Sequence, residues 1–218
     1  MFNFCFGNFS SLSTTLQDIS LQSFTIVGFN STLFPVIFNL LFFVDTLIFT
    51  FGYTFESGIF KNKLRSVEPT FFGWVVALAC YPPFNWLTGK LLGWYSNDYY
   101  SFNNPIYTFI FRILLIVLIS IYVWASIALG TKASNLTNRG IVSKGPYSMV
   151  RHPAYISKNL VWWTSIIPLG SIPAILSMAG WSLIYHLRAI TEERHLRKDP
   201  DYLEYCQKVK YRYIPGIY

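Results

Sequence analysis

PIYTFIFRILLIVLISIYVWASIAL, residues 105–129, is a continuous apolar run broken by one charge, Arg112, near its start. A helix that crosses a bilayer needs about 20 largely apolar residues, and an arginine close to one end can snorkel toward the interface. Working outward, Ser31–Phe55 satisfies the same requirement with Asp45 in its middle, and Thr70–Leu87 does so despite Pro82-Pro83 near its end. Toward the C-terminus lie two shorter apolar stretches, Ile156–Ile167 and Ile172–Ile190. Between them, Pro168-Leu-Gly-Ser-Ile-Pro173 has no charge, two prolines and Gly170, which reads as the tight turn of a helical hairpin. The expected fold class is all-α: a polytopic membrane helical bundle of about five transmembrane helices, including a C-terminal helical hairpin, followed by a cytoplasmic helical tail.

The composition agrees. The 218 residues are 53% hydrophobic and only 12% charged, with a mean hydropathy of +0.38, against roughly 25% charged residues in an average soluble domain. A soluble enzyme, a disordered tail and a disulfide-stapled module are poor fits. The net charge of +7 arises entirely after residue 130, where twelve Lys and Arg face five acids. Lys and Arg concentrate between the first and second spans (Lys61, Lys63, Arg65), after the third (Lys132 to Lys158) and beyond the last (Arg188 to Arg212). Cytoplasmic retention of basic residues then puts the N-terminus outside and the C-terminus in the cytoplasm, and explains the basic patch without nucleic acid. Whether the membrane is a bacterial inner membrane or an endoplasmic reticulum stays open, as does the oligomeric state.

As one domain, the chain divides into an extracytoplasmic segment 1–30, three spans over 31–129, and a loop, hairpin and tail over 130–218. The first 30 residues hold no Lys or Arg and so lack the basic start of a signal peptide. Cys5, Cys80 and Cys206 have neither disulfide-framework nor zinc-ligand spacing. Asp45 is read as a hydrogen-bonded group within the bundle. In the tail, Asp199 and Pro200 form a helix start, with Tyr202, Cys206 and Val209 on one apolar stripe.

Chemistry concentrates in GIVSKGPYSMVRHPAY, residues 140–155, and in Thr191-Glu192-Glu193-Arg194. Pro153 suits the first turn of a helix. Arg151 and His152 then stand at its positive end, where an anion is favoured; equally, they can be one more cytoplasmic charge and an interface histidine. Glu192 and Glu193 close to an apolar span are costly unless used. Carboxylates suit vicinal ribose hydroxyls, though the pair can also simply offset Arg188, Arg194 or Arg197. A hairpin returns both motifs to one membrane face, where together they can hold a nucleoside cofactor.

GPYxxVRHPxY, the short hydrophobic hairpin, the Glu192-Glu193 pair and the tail pattern YxxYxxxVxxxIPG resemble the isoprenylcysteine carboxyl methyltransferase and phospholipid methyltransferase superfamily of integral-membrane enzymes, over roughly Leu129 to Tyr218. The resemblance implies an S-adenosyl-L-methionine-dependent methyltransferase of the lipid bilayer, acting on a lipidic or small amphiphilic acceptor. It places Tyr147, Arg151, His152, Pro153, Tyr155, Glu192 and Glu193 around the cofactor, with Arg151 and Glu193 in positioning roles. No general base is assigned and no metal is expected. The Gly-x-Gly element of the phospholipid branch is missing, since only Gly140 and Gly145-Pro146 are present. Trp162 and Trp163 can stack on adenine or pack at the interface. The tail EYCQKVKYRYIPGIY is also similar to the ending of membrane sterol reductases that use NADPH, for which Arg194, Arg197 and Lys198 can serve. A non-catalytic membrane scaffold is the third reading.

Overall fold

A computed structural model describes residues 1–81 and 84–217. Among these residues eight helices follow one another: α1 (Phe2–Leu16), α2 (Ile26–Thr54), α3 (Phe71–Leu78), α4 (Asn85–Leu92), α5 (Pro105–Leu129), α6 (Pro153–Ile166), α7 (Ile172–Leu196) and α8 (Pro200–Lys208). Two-residue strands, β1 (Ser66–Val67) and β2 (Thr137–Asn138), pair antiparallel. Two helices are long and apolar enough to cross a membrane, Ile26–Thr54 and Pro105–Lys132. The protein is a mostly helical, membrane-type chain around that pair.

The frame is built from side chains that α2, α5, α6 and α7 bury together. Phe34 and Phe38 meet Leu115 and Ile119, and these pack on Val161, Ile166, Met178 and Trp181. Lipid is as apolar as leucine, so helices associate in a bilayer by close packing and by hydrogen bonds between them. Small residues line the seams accordingly: Ala125, Ser126, Ser157, Ser165 and Ala174 are buried. Asp45 joins α2 to α5, its two oxygens accepting from the Tyr122 hydroxyl at 2.9 Å and the Ser126 hydroxyl at 2.5 Å. The hydrogen-bonded reading of this acid holds. Arg112 does not snorkel. It is buried over the Phe34 ring and donates to Ser101 at 3.0 Å.

Two segments depart from the sequence reading. The stretch 70–87 is not one helix: α3 has eight residues, the chain turns, and α4 starts at Asn85. Pro82 and Pro83, the break expected near the end of this span, lie outside the described residues. Proline removes an amide donor and disfavours helix at the residue before it, so a hydropathy window spanning both sides merges two elements. Residues 1–30 also hold a helix that the sequence reading did not anticipate. α1 runs antiparallel beside α2, with Asn8 donating to Thr46 at 3.3 Å, Asn39 to Thr15 at 3.5 Å, and the Phe9 and Phe43 rings 5.5 Å apart.

The helix ends sort into two faces. Asn30 donates to the Pro105 carbonyl and Ser96 meets Ser165, which brings the starts of α2 and α5 and the end of α6 to one face. At the other face Arg139 donates to the Gly52 carbonyl and Asn62 to that of Thr131. The hairpin turn uses Gly170 at a φ of 56°, a left-handed conformation that glycine adopts without penalty. The hairpin helices α6 and α7 have 14 and 25 residues, so α6 spans about 21 Å at 1.5 Å per residue, short of a full bilayer core.

Candidate active site

The loop before α6 and the chain after α7 are tied together at the face opposite Gly170. Gly145, at a φ of 61°, lets the chain turn into Pro146-Tyr147 against α5; a Cβ there would lie 3.3 Å from that of Ala128. Tyr147 is thereby buried with Ala125, Tyr202, Tyr205 and Val209, and Tyr205 donates its hydroxyl to the Tyr147 carbonyl at 2.7 Å. α8 begins as expected, Asp199 accepting from the Asp201 amide at 3.0 Å, and its stripe packs on this loop.

Arg151, His152 and Glu193 come together, 41 positions apart in sequence for the last two. They satisfy one another. Glu193 is 2% exposed and accepts from Arg151 Nε at 2.9 Å, from Arg212 at 3.0 Å through each oxygen, and meets His152 Nε2 at 3.2 Å. Burial pushes this carboxyl up, but the hydrogen bonds from His152, Arg212 and Arg151 outweigh it and hold Glu193 well below the ordinary carboxylate range. The amides of Arg151 and His152, expected to face an anion, donate to the carbonyls of Tyr211 and Arg212 at 2.9 Å. The arrangement is a clasp between α6, α7 and the C-terminal segment.

A cavity lies beside this clasp. Of the seven residues expected at the site, Tyr147, Arg151, His152, Tyr155 and Glu192 line it, whereas Pro153 and Glu193 do not. Pro153 is buried as the first residue of α6. Adjacent residues on a helix point about 100° apart, so only one of the two glutamates faces the space, and it is Glu192. Its Oε2 accepts from the Tyr155 hydroxyl at 2.6 Å, and the Tyr155 ring stacks on His152 with centroids 5.2 Å apart. Trp162 and Trp163 lie outside the lining. Trp162 packs on Trp94 and Tyr185, and Trp163 donates to Ser182.

The opposite wall holds residues that the motifs did not flag. Arg188 donates to the Asn135 side chain at 2.5 Å and to the Tyr81 hydroxyl at 3.2 Å, with its guanidinium over the rings of Tyr81 and Tyr155. Arg188 stands four residues before Glu192, on the same helix face, and that spacing is the signal by which it was legible. Four buried polar atoms of the lining, Thr137 Oγ1, Arg139 Nε, Arg188 Nε and Tyr202 Oη, have no hydrogen-bond partner among the described residues. A buried donor left unmatched costs about 1–3 kcal/mol. The residues that bear them give this wall of the cavity a polar, basic character. Arg194, proposed for a nucleotide phosphate, pairs instead with Glu68 at 3.0 Å, and neither Arg197 nor Lys198 lines the space.

Comparison with known proteins gives two findings. Over 86 residues the chain is 31% identical to Delta(14)-sterol reductase TM7SF2 of Mus musculus, an alignment that takes in 38% of this chain and 21% of that protein. The chain thus spans about a fifth of the length of that curated relative. The model of the family described as phospholipid methyltransferase matches residues 113–199, which include most of α5, all of the α6–α7 hairpin, and the walls bearing Tyr147, Tyr155, Arg188 and Glu192. Residues 113–199 are therefore similar to the phospholipid methyltransferase family.

Proposed function

We propose that the protein is an integral-membrane methyltransferase that uses S-adenosyl-L-methionine and modifies a lipidic or small membrane-partitioning acceptor. The carrying observation is the cavity lined by Glu192, Arg139, Arg188 and the rings of Tyr81, Tyr155 and Tyr185, in a segment that matches the phospholipid methyltransferase family model. These groups fit an amino-acid-bearing nucleoside. Glu192 suits a pair of ribose hydroxyls or an ammonium, Arg188 and Arg139 suit a carboxylate, and the rings of Tyr81, Tyr155 and Tyr185 offer flat apolar faces. The cofactor supplies an already activated sulfonium methyl. The chain's own task is then to align donor and acceptor and to keep water out. Arg151, His152 and Glu193 act in this reading by holding the wall in place, and the acceptor approaches from the apolar side.

A reductase using NADPH is the second reading, favoured by the similarity to the mouse sterol reductase. The engagement of Arg194 with Glu68 leaves the extra phosphate of NADPH without that cation. Ligand-dependent melting of the purified protein in detergent separates the readings, because a ligand that binds only the folded state raises its melting temperature. S-adenosylhomocysteine raises it and NADPH does not. The reverse pattern establishes the reductase, and no shift with either ligand leaves the scaffold.

A further inference from the structure

A second cavity, of about 500 Å³, lies deeper in the apolar layer. That volume is in the range of ligand sites. Its walls are largely apolar, Phe42, Phe49, Ile119, Val161 and Trp162 among them, and it shares Phe49, Tyr81, Tyr122, Lys158 and Tyr185 with the cavity just described. The two spaces adjoin at Lys158.

Lys158 projects from α6 at that junction. Its ammonium sits over the rings of Tyr122 and Trp162, at 5.3 and 5.4 Å from the centroids. No carboxylate approaches it within 4.0 Å among the described residues, and no hydrogen bond to it is formed there. The acids of the chamber have hydrogen-bond partners of their own, Asp45 in Tyr122 and Ser126 and Asp98 in Ser96 at 3.2 Å, and Asp45 attracts the ammonium only from beyond ion-pair distance. Two aromatic faces offset only part of the cost of holding an ammonium in an apolar space, and that cost is several kcal/mol per ion. An anion brought by a ligand offsets the remainder. A cationic headgroup is repelled.

We infer that the chamber receives the methyl acceptor and that Lys158 is a specificity-determining residue, pairing with a negatively charged headgroup on an apolar tail. This rests on the methyltransferase reading. The cofactor side has its own cations in Arg139 and Arg188, which leaves Lys158 for the acceptor.

Quenching of tryptophan fluorescence by ω-brominated ligands tests the inference without turnover, since Trp94, Trp162 and Trp181 line the chamber. The probes are ω-bromododecanoate, the matching alcohol and the matching amine, with S-adenosylhomocysteine affinity measured in parallel. In the unmodified protein the carboxylate binds about tenfold or more tightly than the alcohol, and the amine most weakly. Lys158→Met brings carboxylate affinity down to that of the alcohol, a larger loss than it causes in S-adenosylhomocysteine affinity, and Lys158→Arg retains carboxylate affinity. Equal affinity for carboxylate and alcohol in the unmodified protein overturns the inference, even where Lys158→Met does not fold. So does a Lys158→Met variant that loses S-adenosylhomocysteine and keeps the carboxylate. Failure of the unmodified protein to bind S-adenosylhomocysteine instead removes the methyltransferase reading, and the three headgroups still decide whether the chamber selects an anion.

Discussion

Glu192 and Glu193 are neighbours with the same chemistry and opposite surroundings, and their variants separate binding from folding. Glu193 is buried against Arg151, Arg212 and His152. Removing its charge leaves Arg151 and Arg212 in a poorly solvated clasp, a loss of about 3–5 kcal/mol for a broken buried pair. Glu193→Gln therefore lowers the melting temperature in detergent with and without ligand. Glu192→Gln leaves the clasp intact, keeps the melting temperature near that of the unmodified protein, and weakens S-adenosylhomocysteine binding at least about tenfold. A Glu192→Gln variant that binds normally removes Glu192 from the site. Acid acts on Glu193 in a definite direction. Its folded-state pKa lies below its unfolded value, so its contribution is complete above the ordinary carboxylate range. That contribution is lost as pH falls through the folded value. Thermal melts between neutral pH and pH about 3 will show a progressive loss that Glu193→Gln largely abolishes.

The elements were legible where sequence and packing speak together. α5 is a long apolar run with a single charge, Arg112, opened by an Asn104 cap whose side chain accepts from the Ile106 amide at 2.8 Å, and α8 carries its own Asp199-Pro200 start. α1 was not legible, because FNFCFGNFSSLSTTL mixes Ser, Thr and Asn with phenylalanine and lacks a helical stripe. Its order comes from lying along α2. At the site, the RHP and EE motifs marked the right neighbourhood, since ionic residues beside an apolar span need partners. The rotation of α7 that separates Glu192 from Glu193 follows from packing. So does the placement of Lys158, which the sequence showed only as one more basic residue on the cytoplasmic side. The turn at Gly145 sits between the two regimes, a motif whose role is backbone geometry. Its positive φ and the nearby Ala128 methyl group oppose any side chain. Gly145→Ala costs about 1–2 kcal/mol for the left-handed conformation, seen as a lower melting temperature. It also weakens S-adenosylhomocysteine binding, because Tyr147 can no longer seat between α5 and α8. Unchanged binding in Gly145→Ala would show that the Tyr147 wall is dispensable.

At the scale of the whole molecule, the pairing of α1 with α2 bears on how the protein sits in a bilayer. The count of basic loop residues carries the expectation that the loops at 56–70 and 130–152 and the C-terminal segment lie on one side, the cytoplasmic one. These segments share one face here: Arg65 pairs with Asp199 at 2.9 Å and with Asp201 at 2.6 Å, and Ser66 meets His195 at 2.9 Å. The same count puts residue 1 on the far side, provided that residues 1–30 stay out of the membrane. The antiparallel contacts Asn8–Thr46 and Thr15–Asn39 carry α1 back along α2 instead, toward the face that holds the cavity. Met1, Phe4 and Asn8 reach the wall of the deeper chamber beside Phe49. A protease-cleavable tag before Met1 is therefore cut from the same side of sealed vesicles as a tag placed after the C-terminal residue. A cleavage site inserted at Asn103, in the exposed turn before α5, is cut only from the opposite side. Cleavage of the Met1 tag together with the Asn103 site would mean that α1 lies outside the layer. The chamber would then be open to lipid along the flank that α1 covers.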